Sequence, residues 1–224
     1  MSDLSLPTFK NPDLLITALT HRSALNESLS TSTESNERLE FLGDAVLELA
    51  TTNFLFVTLP DEQEGVLTAY RSSLVKTTTL AEIATQMGLG EKLYISKGEK
   101  HAGGARNPSL LADTLEAVLG ALYLDQGYQA VHDLLEKILF PKFAYIQQHQ
   151  LHRDFKSMFQ ELVQAQGQPT PNYTVLEETG PDHDKIFTVA VLVDGLQIAQ
   201  GVGPSKQKAE TEAAKAALEK LEEK

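Results

Sequence analysis

Four carboxylates recur along NERLEFLGDAVLELA, residues 36–50: Glu37, Glu40, Asp44 and Glu48. Steps of three and four residues place them on one face of a helix, and Leu39, Leu42, Val46 and Leu49 repeat at the same steps on an opposite, buried face. No Lys or Arg interrupts the acidic stripe, although like charges at this spacing cost a helix about 0.2–0.5 kcal/mol per pair. A second pair, Asp113 and Glu116, lies in SLLADTLEAVLGALYLDQG, residues 109–127. That helix is apolar on nearly every side and is expected to be buried. Burying an ionised carboxylate is costly unless it is paired or binds a metal, and the nearest cation is Arg106 in the preceding loop.

A charged stripe is also the mark of a solvated helix face, and Asp113 alone suits the positive end of its helix. Neither explanation covers Glu116. If the two helices face each other, Glu40, Asp44, Asp113 and Glu116 converge, and four carboxylates in one place need a divalent cation. Oxygen donors alone suit Mg²⁺, with Mn²⁺ as a substitute, rather than zinc. Such a cage can activate water and hold a phosphate. A di-iron centre would use Glu-x-x-His pairs on facing helices, and neither helix has one.

The elements that must position these groups are helical up to about residue 143. Asn11-Pro12 reads as a helix start. A polar loop, SLSTSTES, precedes the acidic helix. Further helices are expected from about Val66 to Val75, from Thr79 to Met87, from Pro108 through the second acidic pair, and from Val131 to Phe140. Residues 96–108, SKGEKHAGGARNP, read as a Gly-rich loop. Residues 147–153 read as a polar linker.

Beyond it the pattern changes. DFKSMFQELVQAQG is a helix stopped by Gly167 and Pro169; YTVLEE, IFTVAVLVDG and LQIAQGVG alternate with period two as strands; KQKAETEAAKAALEKL is an Ala-rich helix. The order is αβββα. The expected architecture is therefore multi-domain: an all-α domain over 1–146, then a small α+β domain over 154–224.

Composition narrows the function. Hydrophobic residues make up 42% of the 224, enough for a globular core. The absence of Cys excludes disulfides and thiolate zinc sites and favours a reducing, cytoplasmic setting. No secretory signal opens the chain, and no run of about 18 uninterrupted apolar residues argues for a membrane span. The net charge of −12, taken alone, argues against a nucleic-acid partner.

The motifs argue otherwise. NERLEFLGDAVLEL and SLLADTLEAVLGALYLDQG resemble the two catalytic segments of ribonuclease III. ALTHRS, EGVLTAYRSSLV and TLAEIATQMGLGEKL match that family in order, and DFKSMFQELVQ, GPDHDKIFTVAV and SKQKAETEAA resemble a double-stranded-RNA-binding domain. The resemblance implies a homodimeric, metal-dependent endoribonuclease that cuts both strands of an RNA duplex. It implies 5′-phosphate and 3′-hydroxyl ends with a short 3′ overhang, in rRNA and mRNA precursor processing. By motif position it implies Glu40, Asp44, Asp113 and Glu116 as metal ligands, with Asp44 and Glu116 catalytic and Glu37 and Glu64 as supporting acids. Glu48 matches no role and reads as solvated surface. Phe41 projects beside the acidic stripe, and the resemblance puts that region at the dimer contact.

Duplex RNA is recognised through 2′-hydroxyls in its minor groove and through phosphates. Ser157, Gln160 and Glu161 on the first helix of the second domain, and His183 in its strand-connecting loop, suit the former. Lys206 and Lys208, at the start of the last helix, suit phosphate. This domain holds 7 Lys and 12 Asp or Glu, a net of −5, so its affinity for RNA is expected to be modest and strongly salt-dependent.

Overall fold

The computed structural model describes residues 5–27, 29–182 and 184–222. The chain divides into two units, Met1–His152 and Arg153–Lys224.

The first unit is helical. Its elements are α1 (Pro12–Ala18), α2 (Arg22–Leu25), α3 (Glu37–Thr58), α4 (Glu64–Val75), α5 (Thr77–Gln86), α6 (Leu89–Lys92), α7 (Lys97–His101), α8 (Pro108–Gln126), α9 (Tyr128–Ile138) and α10 (Lys142–Gln148). Asn-Pro pairs start two of them: Asn11 accepts the Asp13 N–H at α1, and Asn107 accepts the Ser109 N–H at α8. α8 is the central post. Leu111, Leu115, Val118, Leu119 and Leu122 are buried, together with Leu47 and Leu55 of α3, Leu74 of α4 and Leu80 and Ile83 of α5.

α3 and α8 cross with unusual closeness. A Cβ on Gly43 would collide with the backbone carbonyl of Glu116, and one on Gly120 with that of Leu39. Each glycine is thus the space into which the other helix fits. The acidic segment of α3 is thereby held against the acidic segment of α8.

Three details differ from the sequence reading. Leu49 is exposed, because the buried face of α3 runs through Leu39, Gly43, Val46, Leu47 and Ala50, where small residues permit the crossing. Residues 96–108 are not one loop: Ser96 accepts the Glu99 N–H and starts α7, and a 3₁₀ turn spans Gly104–Arg106. Residues 147–152 belong to the first unit, where the Leu151 carbonyl accepts from Ser73 Oγ at 3.1 Å and the His152 ring stacks on Tyr70. α3 is also long and apolar enough over an 18-residue window to cross a membrane by composition. Its apolar residues are instead split between the core and an exposed stripe.

The second unit is α11 (Phe155–Ala165), β1 (Asn172–Thr179), β2 (Ile186–Val193), β3 (Leu196–Gly203) and α12 (Lys206–Glu222). The sheet is antiparallel in the order β1-β2-β3. The β2–β3 turn places Asp194 and Gly195 at φ 50° and 75°, the left-handed pair of a tight hairpin. Both helices cover one side of the sheet: Phe155, Phe159 and Val163 of α11 and Ala213, Ala214 and Ala217 of α12 share a core with Val191 and Val193. Gly201 and Gly203 let β3 lie directly on the backbone of α12 around Ala209 and Ala213.

Candidate metal centre and RNA interface

The α3–α8 crossing brings Glu40, Asp113 and Glu116 together. One carboxylate oxygen from each lies within 4.8 Å of the others, and all three side chains are half-buried. Among the described residues no Lys or Arg pairs with any of them. The electrostatic result is concentrated on Glu116. Burial pushes its carboxyl up to about 8, and the charges of Asp44, Asp113, Glu40 and Glu48 add to the shift. Glu40 is raised by burial and then by Asp113, Glu37 and Asp44. Asp113 is raised by burial, while His21 pulls it back down. Three oxygen donors crowded without a counter-charge are a fitting cradle for a hard divalent cation.

Asp44 is exposed and stands outside the trio, but after burial it is the largest influence on Glu116. Glu37 is exposed, accepts from Ser35 Oγ at 2.8 Å and lies 3.7 Å from Arg22. Glu64 is exposed in the first turn of α4, outside the trio. Glu48 is not merely solvated: Arg71 of α4 approaches it at 2.9 Å and also donates to Thr52 Oγ1. Arginines of α2 and α4 thus pair with the stripe at its edges. A pocket of about 430 Å³ opens beside the trio, lined by His21, Arg22, Glu37, Glu40, Asp113 and Thr114 among others. Sequence reasoning gave His21 no role. Its only signal was membership of ALTHRS.

Phe41 is 82% exposed, and Leu49 (59%) and Phe56 (69%) continue its side of α3. The three form an apolar stripe on the helix that carries Glu40.

In the second unit Ser157, Gln160 and Glu161 are exposed on α11, away from the face that buries Phe155, Phe159 and Val163. The Ser157 hydroxyl donates to Asp154 Oδ2 at 2.8 Å, so its remaining capacity is as an acceptor. Lys206 and Lys208 are exposed in the first turn of α12; Lys206 Nζ lies 5.7 Å from the Phe187 ring centre, and the Lys208 N–H is capped by Ser205 Oγ. His183 lies outside the described residues.

Two family models match in the same order as the two units. One described as Ribonuclease-III-like covers residues 11–143, more than half of the chain. The chain belongs to the ribonuclease III family. The other, the double-stranded RNA binding motif, covers residues 155–221. Ribonuclease 3 of Pelotomaculum thermopropionicum is 47% identical, over 95% of this chain and 88% of that protein. Ribonuclease 3 of Geobacillus kaustophilus is 48% identical, over 96% and 87%. Among solved structures, the ribonuclease III nuclease domain of Campylobacter jejuni superposes with a TM-score of 0.55 at 39% identity, covering 60% of this chain and 92% of that one. Dicer from Pichia stipitis matches with a TM-score of 0.50 at 28% identity over 96% of both chains. The family accounts for both findings: a helical nuclease unit carrying acidic clusters, and a separate αβββα unit that binds duplex RNA.

Proposed function

We propose that the chain is a double-stranded-RNA endoribonuclease whose metal centre is built from Glu40, Asp113 and Glu116, with Asp44 completing it. The convergence of three half-buried carboxylates, unpaired by any basic side chain among the described residues, carries this reading. Mg²⁺ is the cation, replaceable by Mn²⁺. When bound it supplies an activated water and neutralises charge at the phosphate. Glu40, Asp113 and Glu116 hold the site in place through the α3–α8 crossing. Asp44 and Glu116 are the catalytic carboxylates. Glu37 and Glu64 add negative charge around the centre and support its cation occupancy.

The second unit supplies duplex affinity. Ser157, Gln160, Glu161 and His183 address 2′-hydroxyls, and Lys206 and Lys208 address phosphates. Two copies of the chain associate through the stripe of Phe41, Leu49 and Phe56, so that two sites act on two strands. The products carry 5′-phosphate and 3′-hydroxyl ends with a short 3′ overhang. The substrates are structured rRNA and mRNA precursors in the cytoplasm.

Incubating the purified protein with a fully paired RNA in Mg²⁺ or in EDTA tests this. Staggered cuts in both strands, in Mg²⁺ only and ending in 5′-phosphate, are the expected result. RNA retarded but intact in both reactions would reduce the protein to a duplex-binding module.

A further inference from the structure

The residues assigned above to duplex RNA stand on two helices far apart in the chain: Ser157, Gln160 and Glu161 on α11, and Lys206 and Lys208 at the start of α12. An ion pair spans the space between the helices. Lys156 Nζ donates to Glu210 Oε2 at 2.7 Å. Among the described residues no other hydrogen bond or ion pair joins α11 to α12. Lys156 precedes Ser157 and lies one turn before Gln160; Glu210 lies one turn after Lys206. Each half of the pair is therefore seated beside one set of contact residues.

The pair is packed as well as charged. Both side chains are half-buried, and the Lys156 ammonium lies 4.6 Å from the centre of the Tyr173 ring of β1. Burial, then the Glu210 and Asp154 carboxylates, push the Tyr173 phenol up to about 12, so Glu210 acts on the same ring. α11, β1 and α12 thus meet at one ion pair. The exposed lysines differ: Lys206 and Lys208 have no ion-pair partner among the described residues, whereas Lys156 is held by Glu210. For a helix start that binds phosphate, Glu210 is a cost, because a carboxylate one turn from Lys206 repels the RNA backbone. Its hold on α11 is what offsets that cost.

We propose that Lys156 and Glu210 are positioning residues: their pair clamps α11 to α12 and so fixes the spacing between the 2′-hydroxyl-facing side chains of α11 and the phosphate-facing lysines of α12. This rests on the duplex contacts assigned above. A duplex engages both helices at once only if that spacing is set before it arrives, and such preorganisation raises affinity without adding a contact. A half-exposed pair adds little to stability, so the clamp acts on binding more than on folding. Charge and clamp predict opposite signs. By charge alone, Glu210→Gln and Glu210→Lys strengthen RNA binding, and adding Lys156→Glu to the latter weakens it. By the clamp, both single changes weaken binding, and adding Lys156→Glu to Glu210→Lys restores it.

The test is fluorescence anisotropy of a labelled, fully paired RNA titrated with the full chain in EDTA, with Lys206→Ala as control. Glu210→Gln is expected to bind about 5-fold more weakly, Glu210→Lys at least as weakly, and the reversed pair within about 2-fold of the parent. Binding at or above the parent affinity in either single variant, or no recovery in the reversed pair, overturns the proposal. So does a Glu210→Gln chain whose second unit is unfolded at the assay temperature, since the pair would then hold the fold and not the spacing. If Lys206→Ala also binds like the parent, the contact reading itself fails; if Lys206→Ala alone loses affinity, the clamp alone fails.

Discussion

The two units carry opposite kinds of site. At the α3–α8 crossing, three half-buried carboxylates from two helices crowd together, held there by backbone contact through Gly43 and Gly120. On the second unit, Ser157, Gln160, Glu161, Lys206 and Lys208 stand exposed on the helices of a framework closed around Phe159 and Val191. The first site is electrostatically frustrated, and on the proposed reading a cation relieves it. The second needs no ligand to be relaxed. A centre proposed to do chemistry needs its groups fixed before the ligand arrives, and the close crossing of α3 and α8 supplies that rigidity. A surface that tracks phosphates gains affinity contact by contact, so it can be exposed and modest at every position. The negative balance of residues 154–224, −5, sharpens this contrast.

The contrast breaks most visibly at Glu116. Replacement by Gln removes one of three convergent donors, and metal catalysis of this type contributes several kcal/mol. Strand cleavage is expected to fall about 1000-fold or more. Retardation of duplex RNA on a gel is expected to be unchanged. Cleavage at the parent rate would remove Glu116 from the centre.

Gly43→Ala should come next. Its methyl group has no room beside the Glu116 carbonyl, so the helices must separate. Overpacking of this kind costs about 1–3 kcal/mol, and it displaces a ligand as well. Calorimetry should show a lower melting temperature for the helical unit together with weaker Mn²⁺ binding. A stable variant with normal metal affinity would mean that the crossing does not set the site.

The frustration also has a pH signature. Glu116 sits at about 8 in the folded, metal-free centre against an ordinary 4.5. The folded state therefore keeps a proton that the unfolded chain releases between these values. Stability present below the lower value is lost as pH rises through the higher one, and the raised carboxyls of Glu40 and Asp113 act in the same direction. In EDTA, the melting temperature of the helical unit should fall between about pH 5 and about pH 8, and saturating Mg²⁺ should flatten that slope, because the bound form needs the carboxylates ionised. A melting temperature that rises with pH in EDTA would contradict the raised carboxyls of this cluster.

The smallest effects belong to the second unit. Lys206→Ala or Lys208→Ala should weaken duplex binding evenly across sequences and reduce the salt slope by about one unit each. Fluorescence anisotropy at several salt concentrations would measure it, and a slope unmoved by either change would exclude direct phosphate contact.

What the sequence made legible follows from what is local. Residue types at helical spacing exposed the two acidic faces. Asn11-Pro12 and Pro108 announced two helix starts, and period-two alternation announced three strands. Contacts made at long range were not legible. Arg71 reaches Glu48 from another helix, and Arg22 reaches Glu37 from another segment. His21 and Asp113, far apart in the chain, line one pocket only in the folded unit. Gly43 and Gly120 are each the other's clearance, which only the crossing of α3 and α8 makes visible. Leu49 was misplaced for the same reason: hydrophobic periodicity does not distinguish a face buried in its own core from one left exposed.

The most direct test of the central claim is anomalous diffraction from crystals soaked in Mn²⁺. His132, Asp133 and Glu136 of α9 form the other cluster with ligand-like spacing among the described residues, which gives the experiment an internal comparison. A manganese peak bounded by Glu40, Asp113 and Glu116, lost in Glu116→Gln, is the predicted result. A peak confined to α9, with none between α3 and α8, would contradict it.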